Sequence, residues 1–112
     1  MKFNSQPCTT KEQSERLLAL GLKKVTADCV VSSIGSKDRL IHTEEPIYVM
    51  ESLTSKRIPN YLAWSLHRLI ELLGLSKICL NIDLYDSPYE EIIRRIDIFI
   101  NTGVFNREYL ED

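Results

Sequence analysis

Three of the four glycines in this 112-residue sequence lie in the same local pattern. Gly21, Gly74 and Gly103 each follow a stretch in which apolar residues recur at helical spacing, and each is followed by Leu or Val. Glycine adopts the left-handed backbone conformation without strain, and an apolar residue just after it can pack against the last helical turn. The pattern therefore predicts three helices that end in the same way.

Two of these stretches also begin with a helix-capping pattern. Thr9 lies three residues before Glu12, and Ser87 lies three residues before Glu90. In a capping box, the hydroxyl and the carboxylate at this spacing each accept a hydrogen bond from the other residue's backbone N–H group. The predicted helices cover residues about 10–20, 60–73 and 88–101.

The segments between the helices predict a small antiparallel sheet. β-Branched residues around Val30 and Val31, a turn at Gly35, and a second turn before Pro46 indicate a three-stranded meander over residues about 28–50. A strict alternation of apolar and polar residues indicates one more strand at about 77–85. Together with the helices, these strands predict a single α+β domain over residues 1–112.

The charges of the chain are nearly balanced. The 14 Lys and Arg residues against 16 Asp and Glu residues give a net charge of −2, which provides no overall attraction for polyanions. Nucleic-acid binding therefore remains an alternative only through a local patch of Lys23, Lys24, Lys56 and Arg57. No stretch approaches the roughly 20 apolar residues of a membrane span, so we expect no membrane association.

Recognisable chemistry is sparse. The three cysteines are widely separated, which predicts neither a disulfide framework nor a zinc-ligand spacing and favours a reducing, cytoplasmic location. Phosphate-loop, dinucleotide and metalloprotease motifs are absent from the sequence. His67 and Glu71 lie one helical turn apart, a spacing more typical of a surface pair than of a metal site. We therefore predict no catalytic residue, no cofactor and no metal.

The single tryptophan is the most informative residue. On the wheel of the predicted middle helix, Trp64 lies opposite the apolar face, among His67, Arg68 and Glu71. Two interpretations are open. Either the N-terminal segment or the loop 51–57 folds across Trp64 and buries it, or this face binds a partner, since Trp and Arg are enriched at interface hot spots.

Ile98 is a second exception, because it falls among the charged residues of the last predicted helix. A single exposed apolar residue is common on protein surfaces. The alternative interpretation is a contact between two copies of the chain. The candidate interaction surface consists of Trp64, His67, Arg68, Glu71 and Ile98.

Two parts of the chain resemble a known family. The matching residues lie in segments 10–14, 17–22, 26–28, 58–59, 63–66 and 69–73. They are similar to a family of small proteins of unknown function that are frequent in Bacteroides-type gut bacteria and in their phages and mobile elements. In that family a proline directly precedes the Ala-Trp-Ser-Leu run, whereas here residues 60–62 separate Pro59 from Ala63.

The resemblance implies an α+β protein of the bacterial cytoplasm, encoded by a bacterium, a prophage or a conjugative element. It implies no activity and no catalytic residue, and it suggests that Trp64 belongs to a recurring packing unit. The sequence as a whole favours a small non-enzymatic interaction or accessory protein that binds another protein or a second copy of itself. A nucleic-acid-binding accessory protein and an enzyme of unrecognised type are the alternatives.

Overall fold

A computed structural model of the chain describes residues 6–35, 37–74 and 88–111. These residues form an α+β structure, as the sequence predicts. In chain order, the elements are α1 (Lys11–Ala19), β1 (Cys29–Ile34), β2 (Lys37–His42), α2 (Pro46–Ser55), β3 (Asn60–Ala63), α3 (Leu66–Leu73) and α4 (Pro88–Asn101). Two one-turn 3-10 helices, Lys24–Thr26 and Arg107–Tyr109, complete the described elements.

The sheet has the strand order β2-β1-β3, and both pairings are antiparallel. The central strand β1 is buried from Cys29 to Ser32. α2 contacts β1 and β3, α1 contacts β3, and α3 contacts α4. The largest fully buried side chain is that of Trp64, and it belongs to the same apolar core as residues of α1, α3 and α4.

The predicted third strand of the meander is wrong. Residues 47–50 and most of the predicted loop 51–57 belong to α2, which begins with Pro46 at its first turn. The β-branched residues suggest a strand, but proline is also favoured at the first helical position because its N–H group would have no partner there. The helical start signal determines the structure here, so the described residues contain four α-helices and not the three predicted.

The first part of the predicted middle helix is also wrong. Asn60–Ala63 forms β3, which pairs with β1 so that Ala63 lies opposite Cys29. Helix α3 begins only after Ser65, whose hydroxyl accepts a hydrogen bond from the backbone N–H of Arg68 at 3.1 Å. Leu62 lies four residues before Leu66, which is a helical spacing. The short strand therefore has the same apolar periodicity as the helix that follows it, and the sequence pattern does not distinguish the two.

The predicted hairpin of β1 and β2 and the predicted helices at 10–20 and 88–101 are confirmed. The capping box of α1 lies one residue later than predicted, with Thr10 and Gln13 as its two members. The hydroxyl of Thr9 instead contacts Ser14 Oγ at 2.8 Å and the backbone N–H of Trp64 at 3.0 Å. The predicted strand at 77–85 and the cap at Ser87 lie outside the described residues.

The three glycines of the initial pattern have positive φ angles of 104°, 70° and 77° at Gly21, Gly74 and Gly103. Gly74 is the left-handed C-cap of α3. None of the described helices has both the length and the apolar character needed to cross a membrane.

Candidate functional site

Trp64 lies between β3 and α3 and is fully buried within the chain. Its indole Nε1–H donates a hydrogen bond to Thr26 Oγ1 at 3.0 Å. Its backbone N–H and C=O are both paired with Thr9, at 3.0 and 2.9 Å. Trp64 is therefore buried within the chain, with Thr9 of the N-terminal segment bound to its backbone, as in the first of the two interpretations, and it does not lie on a helix face.

Asp28 connects the start of β1 to the start of α3. One of its carboxylate oxygens accepts a hydrogen bond from the backbone N–H of Ser65 at 2.8 Å, and the other accepts one from the Ser65 hydroxyl at 2.5 Å. Ser65 is itself the N-cap of α3. These bonds fix both the position and the rotation of the Asp28 carboxylate.

Cys29 and His42 lie directly opposite each other in the pairing of β1 with β2. The distance between Cys29 Sγ and His42 Nδ1 is 3.4 Å, and the distance between Cys29 Sγ and Asp28 Oδ1 is also 3.4 Å. A carboxylate oxygen of Asp28, the sulfur of Cys29 and a ring nitrogen of His42 all lie within 4.8 Å of one another. We call Asp28, Cys29 and His42 the thiol cluster.

The electrostatics of the thiol cluster oppose an activated nucleophile. Burial, together with the negative charge of Asp28, raises the pKa of Cys29 to about 12. The same two causes raise the pKa of Cys8, which packs in the same small apolar cluster, to about 11. A cysteine nucleophile needs a lowered pKa and a base that is oriented by a third group. Here Asp28 contacts the thiol, and Cys29 is closed to solvent.

A pocket of about 300 Å³ adjoins the thiol cluster through Asp28. Besides Asp28, it is lined by Val25, Ala27, Thr43, Glu44, Arg68 and Glu71. The pocket lining therefore contains three carboxylates and one guanidinium, that of Arg68. Nε of Arg68 donates a hydrogen bond to the backbone C=O of Thr26 at 2.8 Å. We call this the polar pocket.

The structure places the predicted interaction residues in different parts of the molecule. Arg68 and Glu71 line the polar pocket. His67 has a side chain that is 86% exposed, and it lies 3.6 Å from Glu71. Trp64 is in the core, and Ile98 lies on α4, where it is 51% exposed and lines a different groove.

The residues of the predicted basic patch come from two segments. Lys23 and Lys24 lie at the 3-10 helix Lys24–Thr26, and Lys56 and Arg57 follow the end of α2. Lys24, Lys56 and Arg57 are exposed, whereas Lys23 is half-buried. None of them lines the polar pocket.

The thiol cluster was not predicted from the sequence, although a signal for it exists. In an antiparallel hairpin the numbers of paired residues have a constant sum, so a hairpin that pairs Ile34 with Lys37 also pairs Cys29 with His42. Asp28 and Glu44 flank the paired strands, so the hairpin also places these two residues near each other. The hydrogen bonds from Ser65 to Asp28 depend on the pairing of β3 with β1, and the sequence did not predict β3.

No protein-family model, curated protein or solved structure matches this chain. The resemblance to the family from gut bacteria and their mobile elements therefore stays a prediction.

Proposed function

We propose that this chain is a small non-enzymatic interaction protein of a reducing, cytoplasmic compartment, and that it binds a basic side chain of a partner protein in the polar pocket. The observation that carries the proposal is the composition of that pocket. Asp28, Glu44 and Glu71 contribute carboxylates, and Arg68 alone contributes a positive charge.

The charge and size of the pocket support a side chain as its occupant. Charge-assisted hydrogen bonds from Lys or Arg to a carboxylate are among the stronger polar contacts, and complementary charge fixes the choice of partner. A volume of about 300 Å³ is at the lower end of the range for small-molecule sites. Val25, which is 59% exposed at this pocket, adds apolar contact area.

The state of the described thiols supports a binding role over a catalytic one. The pKa values of Cys8 and Cys29 are raised to about 11 and about 12, so both thiols are protonated near neutral pH. Both are free and buried. A reducing compartment is the setting in which such thiols stay free.

Selection from a random peptide library with the immobilised protein tests the proposal. We expect the selected peptides to be enriched in Lys or Arg, and we expect a Glu44→Lys, Glu71→Lys double variant to lose them. A Glu51→Lys, Glu108→Lys double variant is the matched control, because it changes the net charge equally at exposed residues outside the pocket. Equal binding by both double variants, or selection of no basic peptide, would contradict the proposal.

Self-association through α4 is a second candidate, and the exposure of Ile98 favours it. Ile98 and the half-buried Phe99 line a groove together with Glu91, Arg94 and Arg95. Charges of both signs around an apolar centre can be self-complementary across a two-fold axis.

Sedimentation velocity over a range of protein concentrations tests this second candidate. We expect a concentration-dependent dimer that Ile98→Asp abolishes. Val104→Asp is the control, because Val104 is 66% exposed and does not line the groove. The candidate is wrong if the wild-type protein stays monomeric at every concentration, or if Ile98→Asp leaves the dimer intact.

A further inference from the structure

We propose that the thiol cluster is a binding site for a thiophilic divalent cation of the zinc type, with Asp28, Cys29 and His42 as its protein ligands. The inference does not rest on the proposed partner binding, although the two sites share Asp28. The observation behind it is that an oxygen, a sulfur and a nitrogen atom, each able to bind a metal ion, lie within 4.8 Å of one another.

The two distances from the Cys29 sulfur match the edges of a tetrahedral site. A zinc ion is bound at about 2.3 Å from a thiolate sulfur and about 2.0 Å from an imidazole nitrogen or a carboxylate oxygen, which separates the sulfur from either partner by about 3.5 Å. The observed separations of Cys29 Sγ from His42 Nδ1 and from Asp28 Oδ1 are both 3.4 Å. The sulfur therefore already lies at the required distance from two further ligands.

The surrounding hydrogen bonds hold the cluster as a metal site requires. Metal-binding carboxylates are characteristically oriented by further hydrogen bonds, and Ser65 provides two of them to Asp28. The ladder between β1 and β2 fixes the separation of Cys29 from His42. Little reorganisation is needed when a cation replaces the thiol proton, which is released to solvent.

The chemistry of the donors selects the class of cation. A thiolate and an imidazole favour zinc and similar borderline or soft metals over magnesium and calcium, which prefer sites made of oxygen atoms alone. Three protein ligands leave one tetrahedral position for water, and the exposed edge of the cluster at His42 gives a cation access to it.

Cobalt(II) is the probe, because thiolate ligation gives it an intense charge-transfer absorption. The full-length protein is reduced, stripped of metal and titrated with Co²⁺. We expect one equivalent to bind with a thiolate charge-transfer band, and we expect Zn²⁺ to displace it. No thiolate band in the wild-type protein would overturn the inference.

Variants assign the ligands. We expect Cys29→Ser to remove the band and His42→Ala to weaken Co²⁺ binding by at least about tenfold. Cys8→Ser and Cys79→Ser are matched controls that should keep the band. His42 is exposed, so His42→Ala keeps the test decisive if Cys29→Ser fails to fold. A band that persists in Cys29→Ser, or an unchanged affinity in His42→Ala, would overturn the assignment.

Discussion

At the scale of single residues, Thr26 has an importance that its size does not suggest. Its hydroxyl is buried, accepts the indole N–H of Trp64 at 3.0 Å and donates to the backbone C=O of Lys23 at 2.6 Å. A buried indole N–H without a partner is costly, so one hydroxyl makes the burial of the largest core side chain possible.

We expect Thr26→Val to lower the free energy of unfolding by about 1–3 kcal/mol, because it leaves a buried donor without its partner while nearly keeping the side-chain volume. Urea denaturation followed by circular dichroism measures the change. Ser55→Ala, which removes an exposed hydroxyl bonded to Ser52, should change the stability by less than about 0.5 kcal/mol. Equal effects of the two substitutions would contradict the role of Thr26.

The buried thiols give a second prediction at this scale. Because burial and Asp28 raise the pKa of Cys8 to about 11 and that of Cys29 to about 12, we expect iodoacetamide at neutral pH to alkylate both very slowly in the native protein. The same residues in urea, located by peptide mapping, provide the reference rate. If Cys29 is alkylated in the native protein as fast as in urea, this prediction is wrong and Cys29 is a candidate nucleophile.

At the scale of elements, Glu90 ties α4 to α1. Its two carboxylate oxygens accept hydrogen bonds from Gln13 Nε2 at 3.0 Å and from Arg16 Nη1 at 2.6 Å. These hydrogen bonds, followed by the positive charge of Arg16, hold the pKa of Glu90 below its ordinary value of 4.5. The folded state therefore prefers the ionised carboxylate.

The sign of the resulting pH dependence follows from that shift. The stabilisation by Glu90 is complete above its ordinary pKa, and it is lost as the pH falls through the lower pKa of the folded state. We expect Glu90→Gln to reduce the free energy of unfolding at pH 7 and to approach the wild-type value at acidic pH. Urea denaturation across this range, with exposed Glu15→Gln as the control, measures the difference, and a pH-independent difference would contradict the account.

The elements also show which sequence signals are informative. Helices α1 and α4 and the hairpin were predictable because each combines a periodic apolar pattern with a recognisable start, end or turn. β3 was not, because four residues are too few to show alternation and Leu62 is in phase with the next helix. Helix α2 was not predicted, because its β-branched residues indicated a strand, although Pro46 is typical of a helix start.

At the scale of the whole molecule, the candidate site depends on contacts between segments that are far apart in sequence. The polar pocket combines the 3-10 helix, the end of β2 and α3, and the register of the hairpin could have located only the part from Asp28 to Glu44. The sequence predicts Arg68 and Glu71 as neighbours of Trp64 on one helix. They line the pocket for a different reason, since α3 begins at Leu66, directly after its N-cap Ser65, and places them on the same side as Asp28.

Trp64 is buried in the core and its side chain cannot contact a partner, and for this reason we propose the polar pocket as the partner-binding surface. Trp64 is the only tryptophan, so its fluorescence reports on this residue alone. We predict a blue-shifted emission that acrylamide quenches weakly and that moves to the red on unfolding in urea. Emission and quenching like those of free tryptophan in the native monomer would contradict the claim.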